Sequence, residues 1–494
     1  MKKLLLLLLI THCYGLAIAQ NTEAKSLSWK KHLSLAEDLY EKSQYGEAAV
    51  HYEAAWQQKK KRTEYANQAG ECYMIVKDYS KSIEMFSVVK EDYKNFPKAR
   101  FYYAKALKQN EQYDSASPEF KKFSDTFVGE NAAALIAEAL IELEGCELGK
   151  EMKMNADKNV RMIHVGDAIN SDLVEFAPTP FGSEDLLFSS TKQGKAKIFQ
   201  TRRTATNWEA PTIPAQFASL NEDHVCNAAF APDEKRMYFT VCRSVENWGA
   251  LTTRCEIYVT KKTGNLWSAP ERLPDEINKA GVTSTQPTVV QEDGKEVIYF
   301  ASNRSGGQGG MDIWYTTRDL DGGEMAFISP RNAGAKINTE KNELTPFYNA
   351  NEQMLYFSSD GHVGMGGLDI FKALGKQSSW EKPMNVGVPF NSGSDDYSYI
   401  KNRYEDGGFL VSNRTYSTTK VSTAHEDIFE FRLTPRASMF QVSGMTYDKA
   451  TTMPLTSVEV SIYELMASEQ ERMLQTKIFN RRHFQLSTDT KQKI

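Results

Sequence analysis

After its first twenty residues the chain has no run of 18 consecutive apolar residues, so nothing beyond that point reads as a transmembrane helix. Cysteine is scarce, six in 494 residues, and neither a C-x-x-C pair nor a His/Cys cluster offers a zinc signature. No Lys/Arg block is long enough to track phosphates, and 59 basic against 64 acidic residues leave a net charge of −5, which excludes nucleic acid as an expected partner. The short run Lys59-Lys60-Lys61-Arg62 sits where a helix pair ends and reads as a solvated helix terminus. Hydrophobic residues at 41% and charged residues at 25% are ordinary globular proportions, and the length allows roughly three domains.

What is present begins with Met1-Lys2-Lys3, the apolar stretch Leu4 to Ile10, and Ala17-Ile18-Ala19 before Gln20. This is the layout of a signal peptide over residues 1–19, with Cys13 after His12 as a less suitable lipidation site. An exported protein is expected, held at a membrane, if at all, by partners or a lipid. Cleavage leaves Cys72, Cys146, Cys226, Cys242 and Cys255, an odd number. Cys242 and Cys255 either face each other across a hairpin as a disulfide or stay buried thiols.

A 34-residue step relates Ala36, Gly70 and Ala104. The same step relates Leu39/Tyr73/Leu107, Tyr45/Tyr79/Tyr113, Ala48/Ser82/Ala116, Tyr52/Phe86/Phe120 and Ala55/Val89/Phe123. The small residue allows two helices to approach closely, and the aromatic fills the gap to the next copy. This resembles the tetratricopeptide pattern over about residues 28–127. Residues 131–148 read as a capping helix, so that 20–150 form one α-solenoid. The resemblance implies a concave face lined by first helices, here Glu37, Tyr40, Glu71, Met74, Lys105 and Lys108, as a partner-binding surface.

From about residue 157 the periodicity becomes alternating. Four anchors recur in order: an Asn (170, 221, 278, 338, 391), a Pro (178, 232, 287, 346, with Ser398 in the fifth copy), an apolar-aromatic strand, and an Ile-aromatic pair. The last is Ile198-Phe199, Ile257-Tyr258, Ile313-Trp314, Ile370-Phe371 and Ile428-Phe429. Four short strands per unit, five times, with a period of 51 to 60 residues, predict a five-bladed β-propeller over 158–435. The fifth copy lacks its last strand, and Asn159 to Val165 precede the first Asn as an orphan strand that is expected to close the ring. Asp312, Asp369 and Asp427, one per copy, are expected to hydrogen-bond a turn within each blade, and the Gly306–Gly310 and Gly364–Gly367 runs to be tight hairpin loops. Pro232-Asp233, Ser302-Asn303-Arg304 and Ser412-Asn413-Arg414 resemble the WD40-like repeats of TolB-type propellers.

From Phe440 the G-x-x-x-D segment Gly444 to Asp448, Pro454-Leu455 and alternating Val458, Val460 and Ile462 resemble the start of a carboxypeptidase-regulatory-like, transthyretin-type β-sandwich, incomplete at 438–494. The combined order resembles periplasmic envelope proteins of Bacteroidetes, the OmpA family with PorE-like members of the type IX secretion machinery. The chain stops at Ile494 without the OmpA-like domain of that family, so peptidoglycan tethering is not implied. The resemblance implies a periplasmic, outer-membrane-associated scaffold whose partners are envelope proteins and secretion-machinery subunits. It supplies no catalytic residue, metal or cofactor. With no G-x-S-x-G elbow, no Asp-box repeat and eight His at unrelated positions, the chain is expected not to be an enzyme. The alternative reading is a glycan- or peptide-binding sensor propeller.

Overall fold

The computed structural model of the protein describes residues 27–220, 223–247, 250–415, 426–434, 438–455, 457–465, 471–479 and 483–490. The predicted signal peptide with Cys13, the Asn anchor at position 221, and His425 lie outside the described residues. Among those that are described, no helix is long and apolar enough to cross a membrane.

Helices come first, in antiparallel pairs: α1 (Trp29–Glu41) with α2 (Tyr45–Gln58), α3 (Thr63–Ile75) with α4 (Tyr79–Val89), and α5 (Ala99–Gln109) with α6 (Tyr113–Thr126). The long α7 (Ala132–Met154) packs on α6. The 34-residue columns are the packing contacts. Ala36, Ala48, Ala55 and Ala104 are completely buried. At Gly70 an added Cβ would stand 3.0 Å from the Phe86 ring, so the close approach of α3 and α4 needs the missing side chain. The turn inside each pair passes through one left-handed residue, Ser43 (φ +59°), Lys77 (φ +60°) and Glu111 (φ +57°), again 34 apart.

The β region is a five-bladed propeller. Blade one holds β2 (Glu175–Phe181), β3 (Asp185–Ser190) and β4 (Lys197–Arg202), after β1 (Val160–His164). Blade two holds β5 (His224–Phe230), β6 (Arg236–Asn247), β7 (Ala250–Thr263), β8 (Leu266–Trp267) and β9 (Glu271–Arg272). Blade three holds β10 (Ser284–Glu292), β11 (Lys295–Ser302), β12 (Asp312–Asp319) and β13 (Arg331–Asn332). Blade four holds β14 (Glu343–Asn349), β15 (Met354–Ser359), β16 (Asp369–Lys376), β17 (Ser379–Trp380) and β18 (Met384–Asn385). Blade five holds β19 (Asp396–Lys401), β20 (Gly407–Ser412) and β21 (Asp427–Leu433), and β1 completes it in the order β1-β21-β20-β19. The orphan strand therefore closes the ring by joining the start of the propeller to its last blade.

The Asn column explains its own recurrence. Asn278, Asn338 and Asn391 each accept the N–H and donate to the C=O of the Ile in their own blade's third strand, Ile257, Ile313 and Ile370, at 2.8–3.0 Å. Asn170 does the same to Ile428, 258 residues away, and so clasps the seam. One amide side chain thus bonds both backbone groups of one Ile, whose carbonyl also accepts a backbone N–H.

The Pro column needs one correction. The inner strands carry a β-bulge whose left-handed residues are Ala177, Asn227, Gln286, Thr345 and Ser398. The next residue is Pro178, Pro287 or Pro346 in three blades, but Ala228 in blade two and Tyr399 in blade five. Pro232 instead opens the β5–β6 turn, where Asp233 accepts the Lys235 N–H, and Ser398 stands level with Thr345 rather than with the prolines.

Cys242 and Cys255 are cross-strand neighbours on β6 and β7 and form a disulfide, while Cys72, Cys146 and Cys226 are buried thiols.

The helices and propeller belong to one compact unit, and Lys158–Arg161, Tyr404–Gly407 and Arg432–Ile494 to a second. In the second, β22 (Ser438–Met445) pairs with β25 (His483–Thr490), and β23 (Val458–Leu465) with β24 (Glu471–Phe479). Among the described residues the segment expected to be an incomplete sandwich shows these two two-stranded sheets. Asp448 of the G-x-x-x-D motif caps its turn, accepting the Ala450 and Thr451 N–H groups at 3.0 and 2.7 Å.

Candidate functional site

Two places on the propeller deserve a chemical reading, its central channel and the face on which the helices rest. The channel is walled by the bulge triplets of all five inner strands and encloses about 60 Å³. Blades two to five each tie the bulge to a preceding blade: Thr345 N–H donates to Gln286 Oε1, Ser398 N–H to Thr345 Oγ1, Gln286 N–H to Thr240 Oγ1, and Asn227 N–H to Ser189 Oγ, all at 2.9–3.1 Å. These bonds offset the cost of placing non-glycine residues at positive φ. The lining is made of Ala, Pro, Thr, Asn, Gln, Ser, Phe, Tyr and Ile, with no Asp, Glu or His among it. A carboxylate pair of the kind glycosidases use would have to come from elsewhere.

The face between blades four and five is different. The loop 360–368, one of the two glycine runs, pushes Met365 into the helices, where it is completely buried against Phe101, Ala104, Leu107, Tyr113 and Cys146. Gly145 on α7 makes room, since a Cβ there would lie 2.2 Å from the Gly364 carbonyl oxygen. Polar contacts surround the plug. Lys108 Nζ reaches the Gly366 carbonyl at 3.4 Å, Glu111 accepts the Gly393 N–H at 3.1 Å, and Lys77 pairs with Asp395. Two of these three groups, Lys77 and Glu111, are the left-handed turn residues of the second and third helix pairs, so the repeat itself sets the docking points.

Beside the plug lies a cavity of about 300 Å³, lined among others by Lys105, Lys108, Ile141, Glu142, Lys341 and His362. Glu142 is the electrostatic centre. Burial alone would raise its pKa, but Lys108 and Lys105 outweigh that and draw it down to about 2. Glu138 bridges Lys105 at 3.5 Å and Lys341 at 3.0 Å. Burial lowers the pKa of His362, and its Nε2 lies 2.8 Å from the Ile337 carbonyl, an acceptor to which Nε2 donates. The wall therefore offers ammonium donors, carboxylate acceptors and one imidazole.

Beneath the loop, Asp369 receives the Gly366 N–H at 2.9 Å, and burial raises its carboxyl to about 7. Asp312 accepts the Gln308 and Gly309 N–H groups in blade three. Both bind the turn of their own blade, as expected. In blade five the corresponding turn lies outside the described residues, and Asp427 meets His164 at 3.2 Å.

The six expected partner-binding residues divide into two groups. Lys105 and Lys108 are drawn into the junction, Lys108 to 3% exposure. Glu37 and Tyr40 on α1 are exposed, and Glu71 and Met74 on α3 are half-buried. Sequence reasoning missed Glu138, Glu142, Lys341 and Met365. The last left a signal, an apolar side chain between glycines in a loop otherwise built for a turn.

No protein-family model matches the chain, and no curated protein matches it. Among solved structures, the family 117 glycoside hydrolase Zg3597 of the marine bacterium Zobellia galactanivorans is 11% identical, with a TM-score of 0.37 over 55% of this chain and 89% of that one. The α-L-arabinofuranosidase PaAbf62A of Podospora anserina is 9% identical, with a TM-score of 0.34 over 55% and 93%. Trypanosoma rangeli sialidase in complex with sialic acid is 9% identical, with a TM-score of 0.32 over 56% and 59%. The expectation that the chain is not an enzyme is corrected, because solved structures similar to it include glycoside hydrolases, a sialidase and a peptidase. At these identities the likeness is one of fold alone and assigns no activity to this chain.

Proposed function

We propose that the protein is an exported ligand-binding module of the cell envelope, in which a tetratricopeptide-type helical array closes one face of a TolB-like propeller around a recognition cavity for a peptide or glycan. The observation that carries this reading is the junction cavity. Its volume of about 300 Å³ lies at the lower end of ligand-pocket sizes. Lysine donors and carboxylate acceptors on its wall match the hydroxyl, amide and carboxylate groups that glycans and peptides present. The test is to probe glycan and peptide arrays with the purified full chain and with Ile141→Trp, which fills the cavity mouth at a partly exposed site. Binding to a defined ligand class that the substitution reduces at least tenfold supports the reading. An unchanged binding profile refutes it.

A second reading, an envelope scaffold serving type IX secretion on the periplasmic side of the outer membrane, is favoured by the order of the segments, with 438–494 as the opening of a regulatory-like sandwich. The Cys242–Cys255 disulfide supports an oxidising compartment for either reading. A deletion strain with normal cargo secretion and normal co-fractionation of envelope complexes would overturn the scaffold.

A further inference from the structure

The charges that line the junction cavity cancel. Three lysines, Lys105, Lys108 and Lys341, stand against three carboxylates, Glu142, Asp360 and Asp395. Burial lowers the pKa of His362, so its imidazole favours the neutral form. Each of the six charged groups is also held from within the chain. Glu142 pairs with Lys108 and, at 3.3 Å, with Lys105, while Glu138, outside the lining, joins Lys105 to Lys341 at 3.5 and 3.0 Å. Asp395 pairs with Lys77, and Asp360 accepts the Asn342 N–H at 2.9 Å and its Nδ2 at 3.3 Å.

This pattern selects against a charged ligand. An anion or a cation entering the cavity loses its hydration and finds each opposite charge already engaged, so it recovers that loss only by breaking a contact of the wall. A hydroxyl meets no such obstacle. An ammonium has three donors, of which Lys341 spends one on Glu138 and Lys105 two on Glu138 and Glu142, so each keeps at least one N–H for a ligand oxygen. A hydroxyl accepts and donates on the same oxygen, and can therefore bridge a lysine and Glu142 while leaving their pairing intact. A peptide amide carries its donor and its acceptor on separate atoms that point opposite ways, and cannot do this at one place. Ile141, at 42% exposure, and the half-buried Leu344 and Leu368 line the same cavity and offer an apolar surface to the C–H face of a sugar ring.

We propose that the ligand of the junction cavity is an uncharged saccharide, whose neighbouring hydroxyls bond Lys341, Lys105 and Glu142 while its ring packs on Ile141 and Leu344. This rests on the cavity being the recognition site and narrows its ligand to one chemical class.

The experiment places the full chain, fluorescently labelled, on one array that carries uncharged glycans, uronate- and sialate-bearing glycans, glycans with free amino groups, and short peptides, with wild type, Ile141→Trp and Lys341→Met in parallel. The expected result is binding to a subset of the uncharged glycans at least tenfold above the charged glycans and the peptides. Raising the NaCl concentration about tenfold should change that binding by less than about twofold, because no net charge is paired. Ile141→Trp should lower it at least tenfold by filling the cavity mouth, and Lys341→Met about tenfold by removing a donor. Both side chains are partly exposed, so both variants should keep the thermal midpoint of wild type, which separates lost recognition from lost folding. Uncharged glycans bound no better than the other sets, a steep salt dependence, or binding that Lys341→Met leaves unchanged overturns the proposal. If the preferred ligand is acidic, amino-bearing or a peptide and Ile141→Trp abolishes its binding, the cavity stands as the recognition site and the saccharide assignment alone falls. If nothing binds, or what binds survives Ile141→Trp, both fall.

Discussion

Substituting Asn170 by Ala tests the ring closure where it depends on one side chain. In the native fold Asn170 Oδ1 accepts the Ile428 N–H at 2.9 Å and Asn170 Nδ2 donates to the Ile428 carbonyl at 3.0 Å, with Ile428 completely buried. Alanine removes both. The carbonyl keeps a contact from the Val165 N–H at 3.4 Å, so its loss is one ordinary hydrogen bond of about 1 kcal/mol. The Ile428 N–H has no replacement and becomes a buried orphan donor, which costs about 1–3 kcal/mol. Together the change should destabilise the protein by about 2–4 kcal/mol. At about 2 °C per kcal/mol for a unit of this size, the thermal midpoint should fall by about 4–8 °C. Asn278→Ala makes the same local loss at Ile257 inside a single blade. The two variants should therefore match in midpoint but differ in hydrogen exchange. Asn170→Ala should speed exchange at Met162–His164 and at 427–431, and Asn278→Ala should leave those amides protected. The control Asn207→Ala, at an exposed site, should move the midpoint by no more than a surface substitution does, about 0.5 kcal/mol in stability. A fall indistinguishable from that control, or equal exchange at the seam in both clasp variants, would refute the argument that this amide closes the ring.

Asp369 and Glu343 are both raised to about 7 by burial, so the folded state holds protons that the unfolded chain releases near pH 4. Their contribution is full below about pH 4 and is lost as pH rises through 7; urea titrations should show stability falling over that window, by up to about 4 kcal/mol for Asp369, and Asp369→Asn should flatten the slope. His51 acts in the opposite sense. Its pKa is lowered by burial and by His32, whose Nδ1 lies 2.9 Å from its own, so α1 and α2 should lose stability as pH falls below about 6.5, and His51→Gln should remove that loss in circular-dichroism melts. The disulfide should resist alkylation until reduced, whereas Cys72, Cys146 and Cys226 should alkylate on unfolding alone; reduction should lower stability by about 2–3 kcal/mol, and equal labelling of all five without reductant would contradict the pairing.

How much of this was legible in the sequence depended on whether an interaction repeats. The Asn and Ile-aromatic columns are visible because one clasp recurs, in four blades among the described residues, so the number of blades and the location of the seam follow from counting. The Pro column misled for the same reason. The bulge demands a left-handed residue, not a proline after it, and Pro232 fell within a few residues of the right place. The left-handed turn residues Ser43, Lys77 and Glu111 share the 34-residue step but no side-chain type, so only backbone angles reveal them. Lys105 and Lys108 were found as residues of a first-helix face, but what that face meets was not. Glu142 pairs with Lys108 at one repeat step, whereas the Gly366 carbonyl is 258 positions away and occurs once.

That single, unrepeated contact gives the fold its asymmetry. An array of helix pairs has equivalent inner surfaces along its length until something occupies part of them. Met365 of the propeller enters the third pair and α7, and the turn residues Lys77 and Glu111 engage the propeller from the second and third pairs. The corresponding turn residue of the first pair, Ser43, is exposed. Residues at equivalent repeat positions therefore acquire different jobs. Lys105 and its column mate Glu71 are 34 apart, yet Lys105 is neutralised by Glu138 and Glu142 at the junction while Glu71 keeps an uncompensated charge. Opposite charges at one column thus end differently, and the C-terminal half of the array, whose column charge is satisfied within the chain, holds the propeller.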